Sequence, residues 1–304
     1  MTFKTFLGAA AALAIVSQAS AADLGAKKPA PAPAPLPYFL FSDTQVSYSF
    51  YTAAKEPGIN GPIQKHVLSV THFDVTKWGT NFANIDFLKS NHFDPASSSS
   101  TPNTSDGALE VYALYRGTLS GNYLAGAKTF SAGPLKDVSL VAGFDVNTKN
   151  TNFGPQKRLL VGGVQFAFDV PGFLNVSVLA GKEYSHCGLG SFCTTNPEFN
   201  TNAHIEVSYM QPLAFTGLPL SFGGYTNFVT PKGKDVFGFN TKLEILSDNR
   251  LTLDFGKIAF NKPKTIDTFV GYRYWLNKFG NDHKLPFAGG AIENQIYVGA
   301  AFHI

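Results

Sequence analysis

Polar and aromatic residues recur at every second position in several segments of this 304-residue chain. One segment sets Phe82, Asn84 and Asp86 two apart, and another sets Glu110, Tyr112 and Arg116 on even positions. Further segments offer His204, Glu206 and Ser208, then Tyr225 and Asn227, then Asp267, Arg273 and Trp275, and last Gln295 and Tyr297. Residues two apart share one face of a strand. Each such face mixes acids, bases, amides and flat rings. A ring stacks on a flat base with a gain of ~1–3 kcal/mol, and Asn, Asp, Glu and Arg bond to hydroxyls and base edges. The chemistry is reversible recognition of a polar solute that joins an aromatic base to a hydroxylated sugar. Weak binding at several places permits transit, whereas one tight site blocks it. The alternative is that these charges only satisfy one another and brace a wall.

Other constellations point to no catalysis. G-x-S-x-G, H-E-x-x-H and G-x-x-x-x-G-K-[ST] are absent. Glu244 and Asp254 are two carboxylates without a nucleophile and base beside them. His66 and His72 share a strand face, but a metal needs further ligands, so they read as lumen or rim polar residues. No enzyme activity, metal or cofactor is expected. Cys187 and Cys193 enclose a short stretch, Gly188 to Phe192, within a predicted loop. In an exported chain a loop-stapling disulfide is the leading reading, and a pair of free thiols is its alternative.

The elements that position these residues are strands. Thr44, Val46, Tyr48 and Phe50 alternate with Asp43, Gln45, Ser47 and Ser49. Ala203, Ile205, Val207 and Tyr209 alternate with polar neighbours, and Ile296, Val298, Ala300, Phe302 and Ile304 close the chain in the same way. This period predicts strands near 43–53, 63–74, 79–90, 108–118, 135–147, 158–169, 173–184, 201–211, 217–230, 236–260, 265–276 and 292–304. The span 236–260 reads either as two strands turning at Ser247-Asp248-Asn249 or as one long, kinked strand. An even strand count favours the single strand. Tyr123 to Phe130 reads as a possible short strand. Long polar loops fall at 91–107, 185–200 and 277–291, all on one side of the alternation, opposite the tight turn at Asp169-Val170-Pro171-Gly172.

Lys4, the apolar run from Leu7 to Val16 and Ala19-Ser20-Ala21 form a secretory signal, with cleavage after residue 21. Residues 22–40 form a Pro/Ala-rich extended leader in the periplasm, and 41–304 form the folded part. Charged residues are 15% of the chain and aromatics 14%, and the net charge is +3. A nucleic-acid partner is therefore not expected, and neither is disorder. Most predicted strands are longer than the ~5–6 residues usual in soluble sheets and match the ~9–11 needed to cross a bilayer at a tilt. Strand length, signal and loop asymmetry together select a transmembrane antiparallel up-and-down β-barrel of about twelve strands. Its expected place is the outer membrane of a Gram-negative bacterium.

The final strand resembles the assembly signal of outer-membrane proteins, with Phe302 standing two residues before the terminal Ile304. The run Gly271-Tyr272-Arg273-Tyr274-Trp275-Leu276-Asn277-Lys278-Phe279-Gly280 resembles the penultimate-strand motif of the nucleoside-specific channel-forming Tsx-type outer-membrane proteins. Upstream, Lys77-Trp78-Gly79-Thr80-Asn81-Phe82, then Leu109-Glu110-Val111-Tyr112 with Arg116, then Tyr225-Thr226-Asn227-Phe228 resemble that family in the same order. The resemblance implies a narrow monomeric barrel for passive uptake of nucleosides. By motif it carries over Phe82, Glu110, Arg116, Asn227, Arg273 and Trp275. Alternation adds Asp86, Tyr112, Glu206, Tyr225 and Tyr297 as solute-binding candidates. The expected partners are outer-membrane lipids, the assembly machinery and the solute. A general small-solute porin, or a structural or adhesive barrel, is the alternative function.

Overall fold

The computed structural model describes residues 37–97, 107–151, 154–188 and 196–304. The signal and nearly all of the leader lie outside them. Twelve strands close into one antiparallel barrel, each bonded to its neighbours in sequence and β1 bonded to β12. They are β1 (Phe39–Ala54), β2 (Ile63–Thr76), β3 (Thr80–Ser90), β4 (Leu109–Ser120), β5 (Leu135–Lys149), β6 (Arg158–Phe168), β7 (Phe173–Tyr184), β8 (Asn202–Pro212), β9 (Leu220–Val229), β10 (Glu244–Asp254), β11 (Ile266–Leu276) and β12 (Ile292–His303). The lengths run from 10 residues in β9 to 16 in β1. Closure leaves no edge, so every ladder amide has a partner without water.

Alternation fixes the faces. Ser47, Ser49 and Tyr51 are buried inside, while Tyr48 stands 47% exposed outside. In β12, Glu293, Gln295 and Tyr297 are buried, and Ile296, Val298 and Phe302 between them are exposed. A soluble protein would hide that apolar face, whereas here it forms the outer wall. Aromatic residues ring the short-turn end. Tyr38 meets Trp78 edge-on at 5.2 Å, and Trp78 Nε1 donates to the Tyr123 hydroxyl at 2.7 Å. Amphipathic rings of this kind sit at a membrane–water boundary. An apolar outer wall with such a girdle places the barrel in the outer membrane. Short turns then face the periplasm and long loops face outside.

Two readings of local structure are corrected. Residues 236–260 are not one strand. β10 occupies only Glu244–Asp254, the preceding residues are loop, and Phe255–Phe260 turns into a short helix, α2. Asp254 ends the strand because its carboxylate caps α2, accepting from Lys257 N at 2.8 Å. Ser247, Asp248 and Asn249 lie mid-strand. Likewise Tyr123 begins no strand. Gly121–Ala125 is a helical turn, α1, with Ser120 as its cap and Gly126 in the left-handed conformation at its end. The barrel also starts slightly earlier than read, at Phe39.

Candidate functional site: a charged belt across the lumen

Every solute-binding candidate falls on the inward face. The register runs Phe82↔Arg116, Asp86↔Tyr112 and Leu88↔Glu110 between β3 and β4. Glu206↔Asn227 joins β8 to β9, Tyr225↔Asp248 joins β9 to β10, and Leu246↔Trp275 joins β10 to β11. Arg273 and Tyr297 complete the row, with Tyr297 opposite both Gly271 and Tyr51.

Arg116 organises one half of the belt. Its Nε and Nη2 donate to the two oxygens of Glu206 at 3.0 and 2.7 Å. Nη1 donates to Asp145 at 2.7 Å and to the carbonyls of Tyr115 and Phe144. Tyr112 donates its hydroxyl to Asp145 at 2.7 Å. Glu206 lies four strands from Arg116, so the bond crosses the lumen. A circular twelve-strand barrel has a backbone radius of about 12 Å, from ~4.8 Å spacing and ~40° tilt, which sets strands four places apart at about 21 Å. Extended Arg and Glu side chains joined by a hydrogen bond span only about 15 Å. The barrel is therefore flattened between β4 and β8.

Asp248 organises the other half. Its carboxylate is 1% exposed. It accepts from Arg273 Nε at 2.7 Å and from the Tyr297 hydroxyl. Arg250 Nε bonds that hydroxyl at 2.8 Å and lies over the Phe269 ring, 4.8 Å from its centre. Arg273 lies over Tyr51 at 4.7 Å. Tyr225 stands beside Asp248 on the inner face of β10 and beside Ser208 on that of β8. Asp86 accepts from Asn84 at 2.8 Å and, among the described residues, forms no ion pair with a base. Trp275 Nε1 donates to Glu244 at 2.8 Å.

Apolar packing narrows the remaining lumen. Tyr51, Ile63, Val67, Phe269 and Tyr297 form one inner cluster, and Val141, Leu159, Val161 and Leu179 another. Glycines make room for the belt. A methyl on Gly271 would strike the Tyr297 ring, one on Gly143 would meet Arg116 Cδ, and one on Gly181 would meet His204. Cross-strand Gly–aromatic and Gly–Arg pairing was the missed signal, because it needs the register.

Above the belt, ion pairs tie loops to the wall. Lys65 donates to Glu56 at 2.5 Å and Lys278 to Glu293 at 2.7 Å, with Glu56 also 3.6 Å from Lys278. Lys232 bonds Glu183 at 2.7 Å. Burial alone would raise the Glu56 carboxyl, but Lys278 and Lys65 outweigh it and hold it far below its usual range. These loop pairs were not foreseen, since strand alternation says nothing about where loop residues such as Glu56, Lys232 and Lys278 return to the wall. At the periplasmic mouth His303 stands between Asp43 at 2.9 Å and Asp267 at 3.0 Å.

The histidine reading is corrected. His66 and His72 face outward, bonded to Tyr48 at 2.6 Å and to Thr44 at 2.8 Å. Their even numbers in β2 put them opposite the inward Lys65, Val67 and Ser69. No cluster of three or more metal-ligating side chains exists among the described residues. Cys187 is disulfide-bonded, and Cys193 lies outside the described residues.

No protein-family description matches the chain. No curated protein matches it in sequence. Solved structures with a similar fold include the NanC porin, 10% identical, covering 86% of this chain and 100% of that one at a TM-score of 0.47. The KdgM porin is 8% identical, covering 85% and 98% at 0.41. The outer membrane protein opdK from Pseudomonas aeruginosa is 9% identical, covering 86% and 98% at 0.37. On its own closure, girdle and outward apolar wall, this chain is a twelve-stranded β-barrel of the outer membrane.

Proposed function

We propose that the barrel is a passive channel for small polar solutes with an aromatic face, nucleosides first among them. The observation that carries this reading is the balance of the belt. Arg116 is matched by Asp145 and Glu206, and Asp248 by Arg273, with Tyr112 bonded to Asp145 and Tyr225 in register with Asp248. Such a belt presents donors, acceptors and rings without a surplus of positive charge. A neutral base-plus-sugar solute meets all three, while an anion finds few free bases. Asp86, Asn227 and Phe82 are the lumen groups left to meet it, and the resemblance to Tsx-type channels points the same way.

A second reading is a general porin limited by width. It is favoured by the saturation of Arg116, whose donors already serve two carboxylates and two carbonyls. Single-channel recording in planar bilayers separates the two. Adenosine or thymidine is titrated against glucose as the comparison solute. Saturable block by nucleosides that Phe82→Ala and Tyr225→Phe weaken supports the first reading. Equal reduction by glucose supports the second, and no conductance from folded protein removes both.

A further inference from the structure

On the outer wall near the extracellular end, β5, β6 and β7 carry a groove of about 440 Å³ lined by Phe144, Val146, Arg158, Leu159, Leu160 and Tyr184. The register explains its shape. Val146, Arg158 and Tyr184 form the upper row, Phe144, Leu160 and Lys182 the next, and Ala142, Gly162 and Ala180 the row beneath. The lowest row is small, and a methyl on Gly162 would meet only the Val141 carbonyl, 3.8 Å away. The sheet surface therefore dips below the larger side chains. The resulting trough is apolar along its length and cationic at its head.

Arg158 is exposed, and its side chain makes no hydrogen bond or ion pair among the described residues. The other nearby cation is already engaged. Lys182 donates to Glu198 and to the Phe199 carbonyl, each at 2.8 Å, and lies 5.5 Å from the Tyr184 ring centre. That pairing also holds the Glu198 carboxylate. A lipid-facing Arg costs ~0–1 kcal/mol at the interface and ~2–4 at the midplane. Its place at the first residue of β6 is thus the depth where headgroup phosphates lie. Basic pockets beside apolar surface recognise anionic lipid headgroups.

We propose that this groove binds a phosphate-bearing lipid of the outer leaflet. The Arg158 guanidinium takes the phosphate, and Phe144, Val146, Leu160 and Tyr184 take an acyl chain. The site lies outside the lumen and is independent of any solute. The test uses the full-length barrel purified in a neutral detergent and titrated with diphosphoryl lipid A, read by native mass spectrometry. Saturable one-to-one binding is expected, weakened about tenfold by Arg158→Gln, as for loss of one charge-assisted bond. Leu160→Trp, which fills the trough, should weaken it too, and inorganic phosphate should fail to displace the lipid. Heat-modifiable gel migration reports folding, and the exposed Arg158 position carries the test if the Trp variant misfolds. Unchanged affinity in Arg158→Gln, equal binding of the same lipid without phosphates, or displacement by inorganic phosphate each overturns the proposal.

Discussion

Arg116 and Glu206 set both the charge and the width of the belt, and three variants separate the two. Arg116→Ala leaves Glu206 and Asp145 facing the lumen with only Lys157 nearby, 3.7 Å from Asp145. The three side chains are 14%, 18% and 8% exposed. Breaking a buried pair costs about 3–5 kcal/mol, and the surviving Lys157 puts the loss near the lower end, about 3 kcal/mol. The lumen charge falls by one. A unit charge about 5 Å from a passing ion contributes about 0.8 kcal/mol in water, roughly halved by screening at physiological salt. The cation-over-anion permeability ratio should therefore rise about two- to fourfold. Glu206→Gln should move it the opposite way. The double variant Arg116→Ala/Glu206→Ala restores the charge balance and removes the bridge, so its single-channel conductance should rise with little change in selectivity. Reversal potentials in asymmetric salt and single-channel currents read both effects. A double variant with wild-type conductance would refute the claim that this bridge limits the pore. Equal selectivity shifts in the two single variants would refute the charge argument.

Three further outcomes follow from particular contacts. Tyr297→Phe removes the hydroxyl that links Arg250 to Asp248 and should lower stability to urea in lipid vesicles by about 1–3 kcal/mol, since the Asp248 carboxylate stays buried with one donor fewer. Gly271→Ala places a methyl against the Tyr297 ring, so a loss of about 1–3 kcal/mol is expected, whereas the outward Gly162→Ala should be close to neutral. Glu56 is held below its ordinary range by Lys278 and Lys65. Because its folded value is depressed, its stabilisation is complete above the unfolded carboxyl range of ~4.3 and is lost only as pH falls toward the folded value. Residues 55–62 should thus resist proteolysis down to about pH 4, and Glu56→Gln should be cleaved faster at neutral pH without that acid dependence.

The strands were legible because a half-buried barrel writes its faces at a period of two. Once Ile296, Val298 and Phe302 point outward, Gln295 and Tyr297 must point inward, whatever the register with neighbours. This is why the candidate lumen residues fall together on the inner face. The same rule misplaced His66 and His72, since polar residues were assigned inward by chemistry although their parity in β2 matched the apolar Leu68 and Val70. The span 236–260 failed for a different reason. Phe255 to Phe260 continues an apolar pattern, and only the cap that Asp254 supplies turns it into a helix. Cross-lumen partners were not legible at all. Arg116 and Glu206 are 90 residues apart, and their meeting depends on flattening of the barrel.

That flattening bears on why the belt is charged. An inner wall built only for stability would do as well with apolar residues, because replacing a buried ion pair by hydrophobic groups of similar volume is often neutral or stabilising. The barrel already packs its wall that way at Ile63, Val67 and Phe269 and again at Val141, Leu159 and Leu179. It reverts to Arg, Asp, Glu and Tyr where the two walls approach. On the proposed channel reading, charges at the Arg116–Glu206 level keep that level wet and give a passing solute replacements for its lost water, which an apolar constriction would not. Paired charges do so without the strong field that would trap an ion. Asp86, with no ion pair to a base among the described residues, is the exception, and on the proposed channel reading it favours neutral and cationic solutes. Asp86→Asn should therefore lower cation selectivity while leaving urea stability almost unchanged. A stability loss like that of Arg116→Ala would mean that Asp86 braces the wall and takes no part in selection.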